Sequence, residues 1–252
     1  MTTTPRPVPL LKRVLALERC ETTSGRTDDN PHLPADFRSA MRAAYGGTRL
    51  GRQELDGLLL EDLPGALWTR ETIEGARRSG ALPRLERVVV GVDPPASASG
   101  DSCGIVVCGS DGEGKAWVLA DLSMAGLRPE GWASRVAAAA EAWGAACVVA
   151  EKNQGGDMVE SVLKAARCPV PVRLVHAAKG KAARAQPVAL RFEKGEAGCA
   201  GVFAELEDQM CGLTYAGYQG PGGSPDRADA MVWALTELLL LPQSAEPRIR
   251  AL

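Results

Sequence analysis

The rhythm of apolar and polar positions changes near residue 87. Before it the chain is rich in Arg, Pro and Gly and carries only short helical periodicities, over 35–45, 48–60 and 69–78, with no strand pattern. From residue 87 onward, RVVVGVD, CGIVVCG and KAWVLAD are apolar runs separated by Gly, Ser and Asp turns, which predicts a three-stranded antiparallel meander. PEGWASRVAAAAEAWG then predicts an Ala-rich helix, ACVVAE a buried strand, GGDMVESVLKAAR a second helix and VRLVHAA another strand. After a basic stretch, CAGVFAELEDQMCGL predicts a strand edge running into a helix. SPDRADAMVWALTELLLL predicts a last helix with Ser224 as N-cap and Pro225 at its first position. A meander followed by strand and helix in alternation is an α/β fold, a mixed central β-sheet flanked by helices. The expected division is a mostly helical extension over 1–86, the sheet domain over 87–241 and a flexible tail over 242–252. Trp132, Trp143 and Trp233 fall on apolar helix faces and are expected in the core.

Composition narrows what such a fold can do. With 252 residues, 45% of them hydrophobic, the chain can bury a substantial core. Its 29 basic and 31 acidic residues leave a formal charge of −2, so no global field draws it to nucleic acid or anionic membrane, and any DNA contact has to come from a local cluster. Seven cysteines without a C-x-x-C pair, beside two histidines, argue against a disulfide framework and against a zinc site. Reduced thiols in a cytoplasm are expected. No run reaches the roughly 18 apolar residues of a membrane span, so a membrane partner is not expected.

The acids carry the chemistry. Asp93 ends VVVGV and Glu151 ends CVVA, each where a buried strand emerges, so both are expected at one end of the sheet. Asp226 and Asp229 in PDRADAMVWAL lie three apart at the start of an apolar helix and therefore share a face. Taken singly, each has an ordinary role as a turn former or a first-turn helix residue; together they are far more specific. Grouped carboxylates repel and raise one another's pKa unless a cation neutralises them, so these four suit hard, oxygen-preferring Mg²⁺ or Mn²⁺. Two such ions, about 4 Å apart, would activate a water and stabilise the leaving oxygen in phosphodiester hydrolysis. The basic stretch KGKAARAQPVALRFEKG sets Lys179, Lys181, Arg184, Arg191 and Lys194 against a single acid, Glu193. Lys179, Lys181, Arg184 and Arg191 are the local candidates for contact with a DNA phosphate backbone, which carries no base information. Asp101, Ser102 and Asp157 are assigned to turns and helix caps.

An acid after the first meander strand, a Glu after the next buried strand and D-x-x-D-A opening a last helix resemble the order of carboxylates in RNase H-like nucleases. More narrowly, VVVGVDPPASASGDSCGIVVCG, VVAEKNQGGDMV and SPDRADAMVWAL together resemble the nuclease domain of the large terminase subunit of tailed bacteriophages and gene transfer agents, over roughly residues 85–241. The D-x-x-D-A helix is also similar to that of Holliday-junction resolvases, and the family has a K-x-x-R-A stretch like the one here. Upstream, TTTPRPVPLLKRVLA resembles a segment late in a terminase ATPase core, and NPHLPADFRSAMRAAYGGTRLGRQELDGLLLEDLPGALW the stretch that joins core to nuclease. The resemblance implies an RNase H-like fold, residues 1–86 as a remnant of the ATPase core and linker, and a metal-dependent endonuclease cutting double-stranded DNA at the start and end of packaging. It implies a portal protein and a small terminase subunit as partners in the host cytoplasm. No G-x-x-x-x-G-K-[ST] occurs in the chain, so the ATPase motor is expected as a separate domain or chain. A junction-resolving nuclease and a catalytically silent docking module are the alternatives; residues 1–86 speak against the first and the four acids against the second. The spacing leaves open which of Asp226 and Asp229 lies nearer a metal.

Overall fold

A computed structural model describes residues 9–95, 102–152 and 156–241. The tail over 242–252, Asp101 and the side chain of Asp157 lie outside the described residues. The chain divides into two compact units, Met1–Pro64 and Gly65–Leu252. The first holds helices α1 (Pro9–Leu15), α2 (Ala35–Tyr45) and α3 (Arg49–Glu54), with no strand among its described residues. Its ties are polar: Arg42 pairs with Asp28 and Asp56 at 2.6 and 2.7 Å, and Thr48 caps α3 by accepting from Gly51 N at 2.9 Å.

The third expected helix, α4 (Arg70–Gly75), belongs to the second unit. Leu67, Trp68 and Ile73 are buried with sheet residues, so the sheet-bearing unit begins near residue 65 and not near 87. These three apolar side chains find their partners on the sheet, which a strand pattern beginning at 87 does not reveal.

Strands β1 (Arg87–Asp93), β2 (Ser102–Ser110) and β3 (Ala116–Asp121) form the expected antiparallel meander, and the short β4 (Met124–Ala125) pairs with the start of β2. There follow α5 (Pro129–Ala142), β5 (Cys147–Glu151), α6 (Gly156–Ala165), β6 (Val172–Val175), α7 (Lys181–Glu193), β7 (Ala197–Cys199), α8 (Ala204–Gly212), the hairpin β8 (Leu213–Thr214) and β9 (Gly217–Tyr218), and α9 (Asp226–Leu239). The main sheet runs β6-β5-β1-β2-β3-β7, with β5 parallel to β1, β6 to β5 and β7 to β3. The basic stretch becomes α7, which tolerates Pro187 because Ala185, Val188, Ala189 and Phe192 bury one face of it.

Side-chain alternation gives the sheet two unlike faces. Val89, Val106, Cys108, Cys147 and Val149 pack with α7, α8, α9 and Trp68, whereas Val90, Val92, Ile105, Val107, Val148 and Ala150 pack with α5 and α6. By the same parity Gly91, Asp93, Gly104 and Glu151 point to the α9 side. Two of these are glycines for a reason: a Cβ at Gly91 would collide with the backbone carbonyl of Ala230, and one at Gly104 with that of Asp226. Helix α9 therefore lies with its backbone directly on β1 and β2. Gly91→Ala should push it away at a cost of about 1–3 kcal/mol, the usual range for overpacking. Urea unfolding measures this, and an unchanged midpoint would show that the helix can shift freely.

Trp132 is 1% exposed, as expected of a core residue, but Trp143 is 38% exposed because it is the C-cap of α5, past the helix's last buried turn. Among the described residues no helix is long and apolar enough to cross a membrane.

Candidate active site

The parallel register of β1 and β5 runs from Val89 opposite Cys147 to Val92 opposite Ala150. Asp93 and Glu151 are thus next in line on neighbouring strands, both on the face that α9 covers. They are 7% and 8% exposed, and Asp229 on α9 is 2% exposed. Burial pushes the Asp93 carboxyl well above the usual carboxylate range; the charges of Asp229 and Glu151 push it further, Lys181 pulls it back, and Asp226 adds the least. The other three acids thus all act electrostatically on Asp93, which ends β1 next to the end of β5. No side-chain hydrogen bond to the Asp93 carboxylate is formed among the described residues, and Lys181 is the cation that acts on it.

The other acids have partners. Glu151 Oε2 accepts from the indole Nε1 of Trp233 at 2.8 Å and lies 3.7 Å from Arg184. Asp229 accepts from Lys181 Nζ and, at 2.9 Å, from Arg184. The Arg184 guanidinium lies 4.9 Å from the centre of the Trp233 ring, a cation–π stack. Trp233 is buried as expected, but it serves the site as well as the core.

Of the basic stretch expected to contact DNA, Lys181 and Arg184 both pair with Asp229. Arg191, further along α7, pairs with Glu196. Of the four expected DNA contacts Lys179 is exposed and the other three are half-buried.

The start of α9 is held by a residue that sequence reasoning missed. Ser224 does not cap the helix; its Oγ accepts from Lys181 Nζ at 3.2 Å. The Gln209 side chain on α8 does so instead, Oε1 accepting from the N–H groups of Arg227 at 2.9 Å and Ala228 at 3.2 Å. No local sequence pattern marks Gln209, because its partners lie 18 and 19 residues on. Arg227 adds a second anchor through Asp121 at 2.7 Å and Glu205 at 2.5 Å. Gln209→Ala should destabilise the protein by about 1 kcal/mol, the typical cost of a lost cap, while Gln209→Glu, which keeps the acceptor, should cost less. Denaturant midpoints of both variants give the comparison, and equal losses would show that the cap is not the reason for the amide.

Helix α8 is itself clamped. Arg70 on α4 donates to Glu207 at 2.7 Å and to Asp208 at 2.6 Å, and Arg77 donates to Glu207 at 2.9 Å.

Among the described residues no three His, Cys, Asp or Glu side chains are drawn together as a ready ligand set. Asp229 is paired with Lys181 and Arg184 of α7. The donor chemistry fits a hard divalent cation all the same. Every acidic donor is a carboxylate oxygen, and the buried Asp93 forms no side-chain hydrogen bond among the described residues.

Sheet order, helix layers and the position of the acids define an RNase H-like α/β protein. The chain belongs to the Terminase RNaseH-like domain family, whose family model matches residues 90–238. Solved structures of this fold include the nuclease domain of the large terminase subunit gp2 of bacterial virus Sf6, at 13% identity and TM-score 0.53, covering 68% of this chain and 98% of that one. The large terminase of a thermophilic bacteriophage, in complex with ADP, aligns at 12% identity and TM-score 0.53, over 84% of this chain and 54% of that one. The large terminase nuclease of the thermophilic phage G20c with bound magnesium aligns at 20% identity and TM-score 0.47, over 60% of this chain and 81% of that one. No curated protein matches the chain.

Proposed function

We propose that this chain is a divalent-metal-dependent endonuclease that cuts double-stranded DNA at the start and end of phage-type packaging. Asp93, Glu151, Asp226 and Asp229 would hold Mg²⁺ or Mn²⁺, two ions per site. The observation that carries this reading is the buried Asp93 carboxylate, without a side-chain hydrogen bond among the described residues, facing Glu151 and Asp229 from separate elements. Bound there, the ions would activate a water and stabilise the leaving oxygen of a phosphodiester. The chain's own part is to hold the ligands: Trp233 fixes one oxygen of Glu151, Arg184 orients Asp229, and Gln209 with Arg227 sets the first turn of α9. Lys179, exposed just before α7, offers a phosphate contact.

On this reading the chain works with an ATPase motor domain or chain, a portal protein and a small terminase subunit in the host cytoplasm, and its N-terminal residues are the link to the motor. Nicking of supercoiled plasmid by the full chain in Mn²⁺, suppressed by EDTA, is the test. No nicking under any divalent metal would favour a docking module, and preferential cutting of a four-way junction over plain duplex would favour a resolvase.

A further inference from the structure

We infer, on the reading of these acids as a metal site, that Lys181 is a built-in counter-cation that occupies Asp229 in the absence of divalent metal and gives way when metal binds. Asp229 is 2% exposed and shares two cations, Lys181 on Oδ2 and Arg184 on Oδ1. The two are not alike. Arg184 has a side chain only 10% exposed, stacks on Trp233, faces Glu151 and donates to the Lys179 carbonyl at 3.2 Å. It is part of the scaffold. The Lys181 side chain is 40% exposed, a compact ammonium on a flexible four-carbon stem whose other contact is Ser224 Oγ.

Position in the helix points the same way. Lys181 is the first residue of α7, directly after the N-cap Gly180, and the first turn holds no acid. A cation there is opposed by the helix dipole. The local rule is broken, and Asp229 offers the offset. Placement three residues before Arg184 brings both cations to one carboxylate.

The competition is direct. A divalent ion ligated by Asp229 needs lone pairs that the ammonium now uses, and an ammonium left in place would repel it. Metal therefore binds the arrangement in which Lys181 has left, and the apparent affinity falls by the fraction of molecules in that arrangement. With that fraction at about 1–10%, a common range for a minor state, the site binds metal about 10- to 100-fold more weakly than the same acids would without Lys181.

The experiment compares the full chain with Lys181→Met, Lys181→Arg and Asp93→Asn, measuring Mn²⁺ affinity by calorimetry and melting temperature in EDTA. Arg184 still pairs with Asp229 in both Lys181 variants, so the fold is kept. Lys181→Met should bind Mn²⁺ about 10- to 100-fold tighter than the parent, melt lower in EDTA and gain more from added Mn²⁺. Lys181→Arg, which keeps the charge, should not gain affinity. Equal or weaker binding by Lys181→Met, with binding lost in Asp93→Asn, overturns the counter-cation and leaves the metal site standing. If neither the parent nor Lys181→Met takes up Mn²⁺ in a manner that depends on Asp93, the metal site itself is wrong and the counter-cation falls with it.

Discussion

Asp93→Asn is expected to abolish metal-dependent DNA cleavage and, in the presence of a chelator, to leave a protein more stable than the parent. Metal ions stabilise several kcal/mol of transition-state charge, and each 1.36 kcal/mol is tenfold in rate, so losing a buried ligand that forms no side-chain hydrogen bond among the described residues should cost on the order of 10³-fold or more. The stability gain has the opposite origin. Folding raises the Asp93 pKa above its ordinary value of 3.8, through burial first and then through Asp229 and Glu151. Between the unfolded and the raised folded value the native state binds more protons than the unfolded one, so the parent loses stability as pH rises through that window. Asparagine has no such titration, and the gap between variant and parent should widen with pH from about 4 upward. Added Mn²⁺ should reverse the order, since it stabilises only a protein that binds it. Plasmid nicking in Mn²⁺ and denaturation in EDTA across pH decide the matter: parental nicking, or a gap that narrows with pH, would remove Asp93 from the site.

The second large effect is expected far from the acids. Arg70→Ala should destabilise the protein by about 3–5 kcal/mol, the usual cost of removing one partner from a buried ion pair. Glu207 is fully buried and Asp208 is 3% exposed, and Arg70 donates to both. Arg77 retains one oxygen of Glu207, yet the other and the Asp208 carboxylate lose a charged partner. Because Gln209 follows these acids on α8 and holds the start of α9, the same change should loosen Asp226 and Asp229. Urea unfolding gives the stability; a loss below about 1 kcal/mol, the level of an exposed pair, would show that water reaches these acids.

Some of this was legible in the residues alone. The helix over 35–45 and the strand over 87–93 lie where the pattern sets them, because each is bounded by its own residues: Pro34 and Gly46 flank the helix, and the strand ends at an acid. Period-2 alternation carries Asp93 and Glu151 to one face once β1 and β5 pair, and i, i+3 spacing puts Asp226 with Asp229. These are properties of consecutive residues, and they survive whatever the rest of the chain does.

What the tertiary structure decided was partnership. Lys181 and Arg184 read as a basic cluster until α7 meets α9, 48 residues away for Lys181 and Asp229. Arg70 reads as part of an appendage until it meets Glu207, 137 residues on, and Ser224 reads as a cap until Gln209 supplies one from another helix. A charge or a hydrogen-bonding group is satisfied by whatever lies within a few ångströms. Sequence order determines which local shape a segment takes, but only the packing of α4, α7, α8 and α9 against one face of the sheet determines which charges meet.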